Sequence, residues 1–374
     1  MGLIIILFTS VIFGIVPMLI YAGFLWWLDR WEKEPLPLMA AAFVWGFIPS
    51  AILALIAQLI LDIPTSALFY HNEVAYSFVS GSIIAPVTEE SIKAFAVLLV
   101  FIFFSREFDS LLDGIIYGSL AGFGFAAIEN ILYFVSFGSD PFSLGCLVFM
   151  RAFLFGLNHA FFTSLTGLGF AAIENILYFV SFGSDAGSLA CLIFMRAFLF
   201  GLNHAFFTSL TGLGFAAARY QKNILLKILF PLIGLGGAIF AHGLHNGLVT
   251  FGFIGLPFAI LADWFGVAGV FVVALFSLYH EAGWIKKYLA EEVGLGNLTA
   301  GQAAIIGSFR GRIGANVAAL GGGMGQWWRA RRFYQQCAEL AYKKHQFAKM
   351  GDEGGNRAII EKLRGEVRQL SGQV

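Results

Sequence analysis

Long apolar runs, each closed by a short polar or charged turn, follow one another along the first three quarters of the chain. About 20 apolar residues are enough to cross a bilayer as a helix. The pattern therefore predicts spans over 3–28, about 38–61, 76–104, 111–137, 224–253 and 257–279. The first run is too long for a signal-peptide core and lacks a basic start, which predicts a retained span. The turn from Asp29 to Pro35 is charged and carries Trp31, an interfacial residue by habit. Beyond Lys286 apolar density falls, and Gly321–Gly323 and Gly354–Gly355 separate charged helical segments at 329–349 and 356–370. This predicts a membrane domain over 1–285 and a partly helical tail over 286–374, the tail suited to a plain interaction role.

The middle of the chain is duplicated. Residues 123–167 recur as 168–212 with five differences, at the pairs 123/168, 141/186, 142/187, 145/190 and 148/193. Structural repeats diverge and come in threes or more, so two nearly identical copies point to a recent tandem duplication instead. Each copy holds the end of one helix, a turn and the start of the next. If 143–182 were one helix it would be about 60 Å long, twice the hydrocarbon thickness. Two shorter crossings broken near 163–169 keep the later basic segments on one side. The fold class expected is all-α, a polytopic helix bundle of about nine crossings, seven plus a duplicated hairpin.

Composition agrees: 59% of residues are hydrophobic, 12% are charged, and 42 are Phe. The formal net charge is +0. No basic field or phosphate-cradling glycine motif suggests nucleic acid, and the bilayer itself is the surrounding partner. The three cysteines indicate neither a disulfide framework nor a thiolate metal site. Lys and Arg recur on alternate turns, which by the positive-inside rule puts the N-terminus outside and the tail in the cytoplasm.

Chemistry is confined to a few polar groups within apolar runs. Glu89, Glu90 and Lys93 lie mid-run at i, i+1 and i+4, so the amine reaches either carboxylate on a helix. Two adjacent carboxylates in low dielectric resist double ionisation, which suits one of them to activating a water. The alternative is an ion pair that only locks helices together. His159 and its copy His204 stand in the duplicated segment, while His242, His245 and Asn246 share another span. His242 and Asn246, four apart, supply a base or metal ligand and an amide donor suited to an oxyanion. Singly, each histidine is most simply a helix-to-helix hydrogen bond.

In this order, Glu-Glu-x-x-Lys (89–93), Gly-Phe-x-x-x-Glu-Asn (124–130), Phe-x-x-x-His (155–159 and 200–204) and His-x-x-x-Asn (242–246) resemble the PrsW family of intramembrane proteases. That family has kinship to the CAAX-protease and bacteriocin-processing superfamily. The turn Asp-Arg-x-Glu-Lys-Glu-Pro (29–35) is similar too, and the resemblance covers about residues 20–285. It implies a multi-pass protease of a bacterial plasma membrane that cleaves membrane-anchored proteins such as anti-sigma factors. By position it implies catalytic roles for Glu89, Glu90, His204, His242 and Asn246, with Lys93, Asp113, Glu129, Asn130, His159 and His245 in support. Continuity of the flanking helices selects Glu129 and Asn130 from the first copy and His204 from the second. A zinc ion held by His204 and His242, or a glutamate acting on water without metal, would each serve. The lack of a His-Glu-x-x-His pair favours the metal-free route. A second reading, from another class, is a transporter with these groups forming a proton or ion path.

Overall fold

A computed structural model describes residues 3–137, 193–252 and 254–374, and among these every regular element is helical. Helix α1 (Leu3–Leu28) leads through the charged turn into α2 (Leu36–Trp45) and α3 (Ala51–Leu68). A π turn at Gly46–Ser50 joins the latter two and absorbs Pro49, whose missing N–H would break a regular helix. Helix α4 (Glu73–Val79) starts at Asn72, whose side chain accepts from the Ala75 amide. A second π turn, Ser80–Ile84, leads into α5 (Ala85–Phe103). Helix α6 (Leu111–Phe137) follows. After the undescribed stretch come a third π turn (Phe194–Leu199), α7 (Asn203–Arg219), α8 (Ile224–Thr250) and α9 (Leu256–Gly294).

Five of these are long and apolar enough to cross a membrane: 7–28, 36–68, 111–135, 224–250 and 256–294. Helices α5 and α7, which hold most of the polar residues, pack between them. The additional crossings expected from the duplication, and His159 with them, fall in 138–192 and so lie outside the described residues.

Helix α6 is the hub, buried along most of its length. Gly114, Gly118 and Gly122 repeat every four residues on the face turned to α7. A Cβ at Gly122 would stand 2.2 Å from the His204 carbonyl oxygen, and one at Gly114 would stand 2.3 Å from that of Gly212. Small residues at this spacing let two backbones touch, which is how helices associate where hydrophobicity gives no drive. The start of α7 is thereby pinned to the middle of α6.

The C-terminal segment is a folded unit. Helix α9 runs on unbroken to Gly294, and α10 (Ala300–Ile306), α11 (Phe309–Leu320), α12 (Met324–Met350) and α13 (Asn356–Ser371) pack against its end. Ile285, Leu289, Phe333, Leu340 and Val367 form its core together with Trp31 from the charged turn. The unit is also tied to the bundle by polar bonds. Gln346 Nε2 donates to Asp109 Oδ2 at 2.6 Å, Arg219 pairs with Glu353 at 2.6 Å, and Tyr342 donates to Glu281 at 2.7 Å.

Candidate active site

Glu89 and Glu90, neighbours in sequence, have different surroundings. Glu90 is wholly buried and its oxygens are fully engaged. Lys93 Nζ lies 2.5 Å and His242 Nδ1 2.9 Å from Oε1, and Thr208 Oγ1 donates to Oε2 at 2.9 Å. Among the described residues Glu89 accepts only from Gln58 Nε2, at 3.2 Å on Oε1. Its Oε2 is buried and makes no hydrogen bond, with Lys93 Nζ at 3.7 Å and His242 Nε2 at 3.9 Å. Glu89, not Glu90, lines a cavity of about 480 Å³, whose walls also include Leu55, Leu132 and Val249.

His204 sits in the first turn of α7, where the contact with Gly122 fixes its backbone. Both ring nitrogens are engaged: Nδ1 lies 3.1 Å from Lys93 Nζ, and Nε2 lies 2.7 Å from Glu129 Oε2. An ammonium only donates, so Nδ1 accepts and Nε2–H donates to Glu129. The same reasoning protonates His242 at Nδ1, facing Glu90. Its Nε2 lone pair is then left opposite the free oxygen of Glu89. Two acceptors facing one another call for a proton, a water or a cation between them.

The duplicated copies meet here. Glu129 and Asn130 come from the first copy, and His204 and Arg196 from the second. Arg196 pairs with Glu129 at 2.7 Å, donates to Asn130 Oδ1 at 3.3 Å and lies over the Tyr133 ring at 3.6 Å.

Helix α8 supplies the opposite wall. The His242 ring stacks on Phe207, with centroids 4.9 Å apart and planes at 14°. His245 turns to another carboxylate, with Nδ1 2.7 Å from Asp263 Oδ2, which also accepts from Asn203 Nδ2 at 2.8 Å. Asn246 lines the cavity, but its amide donates to the Gly81 carbonyl at 2.8 Å. That carbonyl lies within the π turn Ser80–Ile84, and the bond braces the turn leading into α5. Asp113 is elsewhere: it accepts from the Asp109 and Ser110 amides, both at 2.7 Å, at the far end of α6. Sixteen residues of helix, about 24 Å, separate it from Glu129.

Sequence reasoning passed over Asp263, Gln58, Asn203, Thr208 and Arg196. Asp263 and Gln58 carried the same signal as Glu89, an ionisable or amide group inside an apolar span. Asn203 and Thr208 are one position and one turn from His204, and only their partners make them notable.

The donor set fits a divalent metal. Glu89, His204 and His242 each offer an atom, and the three atoms lie within 4.8 Å of one another. The unpartnered Glu89 Oε2 and the His242 Nε2 lone pair are the features a cation would satisfy. Glu89 and His242 thus each offer a free donor, whereas His204, with Nδ1 on Lys93 and Nε2 on Glu129, joins a zinc site only by giving up one of those bonds.

Comparison with known proteins places these residues in a family. The model of the PrsW family, described as intramembrane metalloproteases, matches residues 34–168 and again 164–278. "Protease PrsW" of Bacillus subtilis is 27% identical over 152 residues, 40% of this chain and 61% of that protein. "Protease PrsW" of Geobacillus kaustophilus is 28% identical over 36% of this chain and 56% of that protein. The Clostridioides difficile protein of the same name is 33% identical over 33% and 49%. The chain thus spans only about half to three fifths of the length of these relatives. No solved structure matches it.

Proposed function

The chain belongs to the PrsW family, and we propose that it hydrolyses peptide bonds of membrane-anchored protein substrates within or beside the bilayer. The observation that carries this reading is the free, buried Glu89 Oε2 facing a cavity beside the unprotonated Nε2 of His242. A water there meets two acceptors, and Glu89 is the group that removes its proton. Glu90 acts through His242, holding its Nδ1 proton so that the Nε2 lone pair points at the reacting centre. Lys93 keeps Glu90 ionised and sets the His204 tautomer. The carboxylate of Glu129 holds the His204 Nε2 proton and is itself held by Arg196. The apolar upper wall, formed by Leu55, Leu132 and Val249, suits an unwound transmembrane segment.

A metal such as zinc would instead be held by Glu89 and His242, with His204 joining if it released Lys93, and Glu89 would then serve as a ligand in place of the base. When bound, the metal would polarise the scissile carbonyl and acidify a water. We assign Asn246 a positioning role on the Gly81 turn, since its amide donor is already committed. A transport role has no comparable support from the family assignment. Anti-sigma-factor-like substrates belong to this proposal through the family resemblance.

The test uses the full chain in lipid nanodiscs. Membrane proteins captured by the Glu89→Gln variant are offered to the wild type. Site-specific cleavage by the wild type and none by the variant is expected. Intact substrates in both would overturn the reading.

A further inference from the structure

A second cavity, of about 310 Å³, lies where α1 ends, between the charged turn and helices α11 and α12. Four cations line it, Arg30, Lys33, Arg312 and Arg331, and no carboxylate does. Among the described residues none of the four forms an ion pair, although Arg, Lys and His pairs are plentiful elsewhere. The acids of the charged turn lie outside the lining and are engaged elsewhere: Asp29 accepts from the Glu34 amide, Glu32 faces Lys343 and Glu34 accepts from Tyr117. Two donors are orphaned: a terminal nitrogen of Arg30 and one of Arg312 are buried without a hydrogen-bond partner. Asn316 Oδ1 is a buried, unpartnered acceptor in the same cavity. Gathering like charges and leaving their donors unmet costs free energy unless an anion meets them. The pKa of Lys33 is brought down to about 8, chiefly by burial, with Asp29 opposing the shift and Arg30, Arg312 and Arg331 adding to it.

The surroundings say what kind of anion. The Arg30 guanidinium lies 3.4 Å over the Trp27 ring and 4.5 Å over Phe309, and Lys33 lies 4.5 Å over Trp26. Trp26 and Trp27 close the first apolar span, at the level where tryptophan marks the bilayer surface. Beside them α11 leaves Phe309, Ile313, Val317 and Leu320, at helical spacing, between 41% and 62% exposed, an apolar stripe along the edge of the cavity. A helix with such a stripe, next to cations and ring-bearing side chains, has the pattern of one lying in the membrane surface.

We propose that this cavity binds the phosphodiester headgroup of an anionic phospholipid, with Arg30 and Arg312 donating to the phosphate and the acyl chains lying against Trp27 and the α11 stripe. Asn316 accepts from a headgroup hydroxyl. The site is separate from the Glu89 cavity, and the proposal stands whether or not that cavity hydrolyses peptides.

The full chain is reconstituted in phosphatidylcholine vesicles containing a minor share of phosphatidylglycerol, and native mass spectrometry after extraction into neutral detergent reads the retained lipid. Wild type is expected to keep phosphatidylglycerol in preference to phosphatidylcholine. Arg312→Gln and Arg30→Gln should each weaken retention about tenfold, the scale of one charge-assisted phosphate contact. Arg30→Lys keeps the charge but not the fork and should fall between. Melting temperature in neutral detergent identifies any variant that has failed to fold, and Lys33→Gln then replaces it in the series. Inorganic phosphate added in excess should not displace the lipid. Equal retention by wild type and the folded variants overturns the proposal. Displacement by inorganic phosphate, or phosphate-dependent stabilisation without lipid preference, assigns the site to a soluble phosphate and overturns it as well.

Discussion

His204 Nε2 lies 2.7 Å from Glu129 Oε2, across 75 positions of sequence, and the two residues belong to different copies of the duplicated segment. Each copy retains one flank of the parental helix pair: α6 carries Glu129 and α7 carries His204. Removing 168–212, or 123–167, rejoins one Glu-Asn to one His motif. Either deletion protein is therefore expected to insert and to cleave substrate at a rate close to that of the full chain. His204→Ala should be severe in the full chain and His159→Ala mild. A cleavage assay on matched amounts of membrane-inserted protein checks this, and an inactive deletion protein counts against it.

Glu89 and Glu90 should separate under mutation. Glu89→Gln keeps the Gln58 contact and leaves the helices packed, so turnover should drop by about 10²- to 10⁴-fold with little change in melting temperature. Glu90→Gln removes the anion shared by Lys93 and His242 and leaves Lys93 only the longer Glu89 pair at 3.7 Å, and breaking a buried pair costs about 3–5 kcal/mol. That variant should lose both activity and thermal stability. Melting curves in detergent, run beside the cleavage assay, distinguish the two. Equal destabilisation by both substitutions would contradict the division of roles.

At Gly122 the α6–α7 contact can be probed without touching a polar group. Its missing Cβ would stand 2.2 Å from the His204 carbonyl oxygen. Gly122→Ala should force the helices apart at about 1–3 kcal/mol and move His204 from Glu129. Lower stability together with a fall in kcat is expected. Gly236→Ala, where a Cβ meets open space, is the control.

Metal dependence follows from the donor trio Glu89, His204 and His242. Protein purified without chelator should carry about one zinc per chain, read by elemental mass spectrometry. His242→Ala should lose it, whereas His245→Ala, whose partner is Asp263, should not. Full activity in metal-stripped protein would return the chemistry to glutamate alone.

His345, in the C-terminal unit, lies flat against Trp284 with ring centroids 3.9 Å apart. Burial, then the neighbouring Lys349, Lys287 and His280, brings its pKa from 6.5 to about 4. Above pH 6.5 the imidazole is neutral folded or unfolded. Between there and about pH 4 the unfolded chain takes up a proton that the folded chain refuses, so stability falls with pH. His345→Gln should flatten this part of the profile in melting curves taken across that range. An unchanged slope would show that the ring titrates normally.

From the sequence alone the apolar runs determined the helical fold, because a bilayer tolerates only segments that satisfy their own backbone, and the ordered polar motifs carried the family resemblance; the predicted span over 76–104 is instead broken by the π turn at Ser80–Ile84. The same rule exposed Glu89, Glu90, His204, His242 and Glu129, since a polar group in such a run must have a partner. What sequence could not decide was which partner. Glu89 and Glu90 are interchangeable as letters, and only the crossing of α8 and α7 over α5 engages one and leaves the other free. Asn246 shares a helix face with His242, yet the π turn at Ser80–Ile84 presents a carbonyl that claims its amide. Asp113 lies on the same helix as Glu129, but rise along the axis carries it to the opposite end of the bundle. The C-terminal segment read as a partly helical tail because its glycines interrupt its helices. Its fold depends on packing against the end of α9 and on Trp31, more than 250 residues earlier in the chain. Local pattern follows from nearest neighbours and the solvent, whereas the roles of these polar groups arise from contacts between residues 75 to 165 positions apart, which no local periodicity encodes.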